Sequence, residues 1–224
     1  MDTTGRISPR AVALLVIAFA AAPLAAQSAD STLDRAVAAY ATVTTARISF
    51  TQTIDNSLTG TKVTTGGELQ QRRPSHFAVK FAEPSGDRIV SDGQWVWIYL
   101  PSTNPGQVIR AKLGADVGAP DFAAQFLEAP RKSYTVSGGA AASIEGSATH
   151  SVVLAPKRKE SPFSKVTLWV NDGDALLRRV ETVDQSGVTR QITVTKFARN
   201  AAVDAGAFVF KVPAGVKVFD GPAS

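Results

Sequence analysis

At Ile48 the hydrophobic period of the chain switches from helical to two, and this switch constrains the fold more than any other feature. Ile48, Phe50, Gln52 and Ile54 fall on one face of an extended segment, and Ser49, Thr51 and Thr53 on the other. From there to the C-terminus short apolar runs recur between turn residues. Strands are expected over residues 48–55, 61–72, 75–82, 88–91, 95–100, 107–111, 133–137, 141–145, 150–156, 165–170, 176–183, 188–197 and 208–212. Asp92-Gly93 and Asn171-Asp172-Gly173-Asp174 are hairpin signals, and residues 56–60 a further turn. Gly66-Gly67 predicts a bend or bulge within the second strand. Short strands recurring on this spacing mean a barrel or a strongly curved sheet, mostly an antiparallel meander.

Three helical segments accompany the strands. Residues 30–47 place Leu33, Val37, Tyr40 and Val43 on one stripe, with Asp30 or Ser31 as cap. Residues 121–128 form a short apolar helix within an insertion bounded by Gly114 and Pro130. There Asp121 is the cap, and Phe122, Phe126 and Leu127 lie on one side. Residues 201–205 read as a small helical turn.

The greasiest stretch is residues 70–100. Phe77, Val79 and Phe81 alternate with His76, Ala78 and Lys80, and an arginine pair precedes Pro74. Trp95, Val96, Trp97, Ile98, Tyr99 and Leu100 are apolar on both faces, so alternation leaves open which face is internal. Phe50, Phe77, Val79, Phe81 and Ile89 pointing inward make a cup, closed by the first helix and the loop helix. Periodicity alone leaves open whether the cup is a filled core or a ligand cavity.

The N-terminus has Arg6 and Arg10, an apolar run over residues 11–22, Pro23, and the small residues Ala25 and Ala26. This layout is a secretory signal over residues 1–26, leaving one domain of residues 27–224. The chain has no cysteine, which removes disulfides, thiol chemistry, thiolate metal sites and the acceptor of an N-terminal lipid anchor. The formal net charge is +5, but the basic residues are scattered in pairs, with Lys157-Arg158-Lys159 the densest run, and without interleaved aromatics, so nucleic-acid binding is not indicated.

Catalytic constellations are absent from the sequence. The two histidines, His76 on the polar side of a strand and His150 on a turn, share no metal spacing. No nucleophile elbow, metalloprotease helix or phosphate loop occurs. Asp87, Asp92, Asp172, Asp174 and Asp184 sit in turns, where backbone capping accounts for them. No enzyme, metal or cofactor is expected.

Several pieces, taken in order, carry a family resemblance. They are Ala46-Arg47-Ile48-Ser49-Phe50-Thr51-Gln52, Gly67-Glu68-Leu69, Arg73-Pro74 followed by Phe77, Pro84, and Ile89-Val90-Ser91-Asp92-Gly93 with Val96-Trp97-Ile98-Tyr99. Near the end, residues 202–210 and Pro213-Ala214-Gly215-Val216 complete the set. With these the chain resembles the periplasmic outer-membrane lipoprotein carrier family, the LolA family. The resemblance implies a mainly β fold: an open, strongly curved antiparallel half-barrel, with the N-terminal helix and loop helices as a lid over an apolar cavity. It implies a monomeric carrier that takes lipoprotein acyl chains from an inner-membrane ABC transporter to an outer-membrane lipoprotein acceptor. It makes Arg73 the lid latch and places Phe50, Phe77, Val79, Phe81, Ile89, Val96 and Ile98 in the acyl-chain cavity. Leu33, Val37, Phe122, Phe126 and Leu127 then belong to the lid. Val79 stands where relatives often carry tryptophan, which implies a wider or less aromatic cavity there. The acceptor lipoprotein of the same fold needs a lipidated cysteine, which this chain lacks. The competing reading is a secreted half-barrel that binds another apolar ligand, or senses lipids, without a transporter.

Overall fold

The computed structural model describes residues 22–113 and 123–221. The basic and apolar parts of the expected signal before residue 22, and the expected cap Asp121, lie outside these residues.

Helix α1 (Ala22–Ala41) carries Leu33, Ala36 and Tyr40 as a buried stripe with half-buried Val37 beside them. It starts at Ala22, so Asp30 and Ser31 lie within the helix rather than capping it, and it stops at Ala41, short of the expected Arg47. The β-branched run Thr42-Val43-Thr44-Thr45 favours extended backbone. Asn200 fixes the exit, accepting from Thr44 N at 2.9 Å and donating to Thr42 O at 3.2 Å.

The strands are β1 (Thr45–Asn56), β2 (Thr61–Arg72), β3 (His76–Phe81), β4 (Arg88–Asp92), β5 (Trp95–Tyr99) and β6 (Gln107–Lys112). After two short helices, α2 (Ala124–Leu127) and α3 (Pro130–Ser133), come β7 (Tyr134–Ile144), β8 (Ser147–Pro156), β9 (Phe163–Asn171), β10 (Leu177–Asp184), β11 (Thr189–Arg199) and β12 (Lys217–Asp220). All twelve join one sheet in the order β12-β6-β5-β4-β3-β2-β1-β11-β10-β9-β8-β7. The first and last strands of that order are edges, so the sheet is open. Its ladders are antiparallel except for β12, which runs parallel to β6.

Several local expectations are corrected. β7 is one strand with an irregularity between Gly138 and Ala141, where two strands were expected. His150 lies within β8 rather than on a turn. Gly66-Gly67 makes no bulge, since β1–β2 pairing is continuous through both. Residues 208–212 are not a strand. A 3₁₀ turn over Ala205–Phe208, capped by Asp204, replaces the expected turn at 201–205. It drops Phe208 onto Ala78 and Val90 on the outer face of β3 and β4, beside the His76 ring at 5.7 Å. Burial of this aromatic, rather than ladder pairing, uses the apolar pattern. The true last strand, β12, is tied to β6 by the Arg110–Asp220 ion pair at 2.7 Å.

The closed core lies between α1, α2 and β8–β10. Leu33, Phe126, Leu154, Leu168 and Val170 are buried there. A second apolar cluster, including Ile48, Leu69, Phe77, Val96 and Val194, lines the concave face of the other half.

Candidate functional site

The concave face does not fill completely. A cavity of about 500 Å³ remains between β1–β5, β9–β11 and α2. Phe50, Phe77, Val79, Phe81, Ile89, Val96 and Ile98 all line it, together with Leu69. Cross-strand register explains the wall: Leu69, Val79, Ile89 and Ile98 stand opposite one another in one row across β2–β5. Phe50 and Phe81 meet edge to face at 6.2 Å. Gly67 makes room for them: a Cβ there would stand 2.8 Å from the Phe50 ring and 2.6 Å from Lys80 O.

The ambiguous strand β5 is resolved by its outer neighbours. Trp95 and Trp97 face outward, with the Arg110 guanidinium 4.4 Å from the Trp95 ring. Trp97 stacks on Phe210 at 5.4 Å and donates from Nε1 to Asp92 Oδ2 at 3.0 Å. Val96 and Ile98 therefore take the inner face. Asp92 also accepts from the backbone N–H groups of Gln94 and Trp95. Burial pushes its carboxyl up, but hydrogen bonds from the Trp97 side chain and from Trp95 and Gln94 outweigh this and hold it below the usual carboxylate value.

Helix α2 supplies the cover. Phe126 and Gln125 line the cavity, and Phe126 also packs against Phe163 at 5.8 Å. Leu127 is buried in the adjoining core. Leu33 and Val37 pack in that same core and are not on the cavity wall. Phe122 lies outside the described residues. Arg73, at the corner between β2 and β3, donates from Nη1 to the Tyr40 carbonyl oxygen of α1 at 3.0 Å. Its guanidinium lies 4.5 Å from the centre of the Tyr40 ring. On the far side of α1, Arg131 of α3 donates to Asp30 Oδ1 at 2.8 Å and Asp34 Oδ1 at 2.6 Å.

The wall formed by β9–β11 was missed by sequence reasoning. Phe163, Val180, Thr182, Asp184, Val188, Arg190 and Ile192 all face the cavity, beside Gln52 of β1. The signal was present as alternation in residues 188–194, but Arg190 on the inward face obscured it. Asp184 closes the β10–β11 turn. Hydrogen bonds from the Ser186 hydroxyl and from the Val188 and Ser186 amides lower its carboxyl against the opposing effect of burial.

Among the described residues no group of three histidine, cysteine, aspartate or glutamate side chains could hold a metal ion. His150 is engaged with Asp172 Oδ1 at 2.7 Å. No described helix is long and apolar enough to cross a membrane. The arrangement offers hydrocarbon surface around a void, the chemistry of sequestration.

The family model for the outer membrane lipoprotein carrier protein LolA matches residues 41–211. The chain belongs to the LolA family. An outer-membrane lipoprotein carrier protein of Methylibium petroleiphilum is 31% identical over 89% of this chain and 95% of its own length. One from Dechloromonas aromatica is 33% identical over 68% of this chain and 70% of its own. Among solved structures, an uncharacterized conserved protein of Thermus thermophilus is similar in fold. Its TM-score is 0.56 at 16% identity, covering 87% of this chain and 100% of that one. MucB has a TM-score of 0.52 at 13% identity, covering 84% of this chain and 64% of its own. These two likenesses show the fold. Within the LolA family, this half-barrel and its residual cavity have the architecture expected from the sequence resemblance.

Proposed function

We propose that this LolA-family protein is a periplasmic carrier for lipoproteins, shielding their acyl chains in the 500 Å³ cavity under α2. The observation that carries the reading is that void, walled by Leu69, Val79, Ile89 and Ile98 in a family of lipoprotein carriers. Each methylene moved out of water is worth about 0.8 kcal/mol, so a soluble protein with such a cavity lowers the cost of taking a lipidated chain off a membrane.

In this reading residues 1–26 direct export and are removed, and the remainder acts as a single monomeric domain. Cargo arrives from an inner-membrane ABC transporter and leaves to an outer-membrane lipoprotein acceptor. Arg73 latches the C-terminal end of α1, which packs against the α2 core, and α2 moves aside as chains enter. The protein performs no bond-making step. Release of radiolabelled lipoproteins from spheroplasts bearing the cognate transporter tests the proposal. Added protein is expected to bring lipoprotein into the soluble fraction as a complex. If it binds apolar probes yet releases no lipoprotein, it is a binder of another apolar ligand and the carrier reading falls.

A further inference from the structure

The cavity has two unlike walls. Across β2–β5 the lining is hydrocarbon throughout. On the opposite side Gln52, Thr182, Asp184 and Arg190 come from β1, β10 and β11. Register groups them: Arg190 stands opposite Thr182 on β10 and Ile54 on β1, two residues along from the Gln52–Ile192 pair. Arg190 is exposed, so this wall reaches the mouth of the cavity. Among the described residues its guanidinium has no ion-pair partner.

A cargo made only of hydrocarbon gains nothing from these groups, because desolvating a guanidinium without a partner is costly. An acyl chain, however, ends in an ester or amide carbonyl, which accepts hydrogen bonds. Arg190 offers five N–H donors in a fixed plane, and the Thr182 hydroxyl and Gln52 amide offer more. Asp184 Oδ1 is occupied by Ser186 and Val188, so this carboxylate is part of the turn. Its negative charge offsets that of Arg190 on the wall, which favours an uncharged acceptor over a phosphate.

We infer that the β1–β10–β11 wall is a head-group subsite in which Arg190, with Thr182 and Gln52, donates hydrogen bonds to the carbonyls at the roots of the acyl chains. The subsite deepens the carrier reading and rests on it. It fixes how far the chains enter the cup, and it lets the protein distinguish acylated cargo from bare hydrocarbon.

The experiment is displacement of a fluorescent fatty probe from the purified protein by two lipidated cysteine peptides of equal chain length. One carries ester-linked chains, the other ether-linked chains without those carbonyls. The wild type is expected to prefer the ester peptide by roughly tenfold, the effect of a hydrogen bond from a charged donor. Arg190→Gln is expected to reduce that preference to about twofold or less. Lys165→Gln, which removes a positive charge from the outward face of β9, should keep it. Thr182→Val lowers the preference in the same direction and serves if Arg190→Gln does not fold. Equal affinities in the wild type, or a preference untouched in folded Arg190→Gln and Thr182→Val, overturn the subsite while leaving the carrier reading standing. Binding of neither peptide overturns both. A third arm uses phosphatidylglycerol with the same chains. If Arg190→Gln weakens that lipid more than the ester peptide, the guanidinium reads phosphate and the inference is wrong.

Discussion

Replacing Arg73 by leucine should release the C-terminal turn of α1. The variant loses the Nη1 hydrogen bond to Tyr40 O at 3.0 Å and the guanidinium over the Tyr40 ring at 4.5 Å. It retains the backbone link from Arg73 N to Thr44 O. A hydrogen bond from a charged donor is worth about 1.5–3 kcal/mol, and a half-exposed cation–π contact about 0.5–1 kcal/mol. Because the site is only partly buried, the lower ends apply, and their sum is about 2 kcal/mol. That corresponds to a roughly 30-fold change in the opening equilibrium of this turn. Native-state hydrogen exchange reads it directly, because the Val43 amide donates to the same Tyr40 carbonyl. Amides around Tyr40–Val43 should exchange about 30-fold faster in Arg73→Leu, while those of β8 and β9 stay protected. A bound apolar probe should also exchange faster. Less than a twofold change around Tyr40 would refute the latch, and loss of protection across the whole sheet would make Arg73 a residue of the fold rather than of the lid.

Other perturbations probe separate parts. Gly67→Ala pushes a methyl against Lys80 O and the Phe50 ring; it should cost about 1–3 kcal/mol in denaturant unfolding and weaken probe binding by tilting Phe50 into the cavity. Asp92→Asn leaves Trp97 Nε1 without its carboxylate and should cost about 1 kcal/mol at neutral pH. Because the folded carboxyl lies below 3.8, this stability is present above that value and is lost as pH falls through the folded pKa. The two proteins' unfolding curves should therefore converge in strong acid. Arg131→Gln removes the exposed link from α3 to Asp30 and Asp34 and should cost about 0.5–1 kcal/mol at low ionic strength, shrinking in high salt.

Much of the wall was legible because one chemical type repeats on one face. Phe77, Val79, Phe81 and Ile89 alternate cleanly, and their strands place them on the cavity. Val96 and Ile98 could not be separated from Trp95 and Trp97 by alternation. The outer partners Arg110 and Phe210 are remote in sequence. The β10–β11 wall was illegible for the opposite reason: its inward positions mix Val180 and Ile192 with Thr182, Asp184 and Arg190. An inward arginine defeats a hydrophobic-period test, yet at a mouth it is physically allowed. The C-terminal misreading has a similar origin. Phe208 and Phe210 have strand periodicity, but they are spent on the outer face of the sheet, while exposed Val218 and Phe219 form the edge strand. The overrun of α1 reflects Val43, which continues the helical stripe in sequence but is buried beyond the helix end.

In the proposed function acyl chains occupy the void between the two walls. The most direct test is a photoreactive side chain placed at Val79, on the wall, or at Lys80, exposed on the opposite face of β3. Each variant is irradiated with acylated lipoprotein. A crosslink to the lipid-bearing N-terminus is expected from position 79 and none from position 80. Equal crosslinking from both, or crosslinking from 80 alone, would contradict that occupancy.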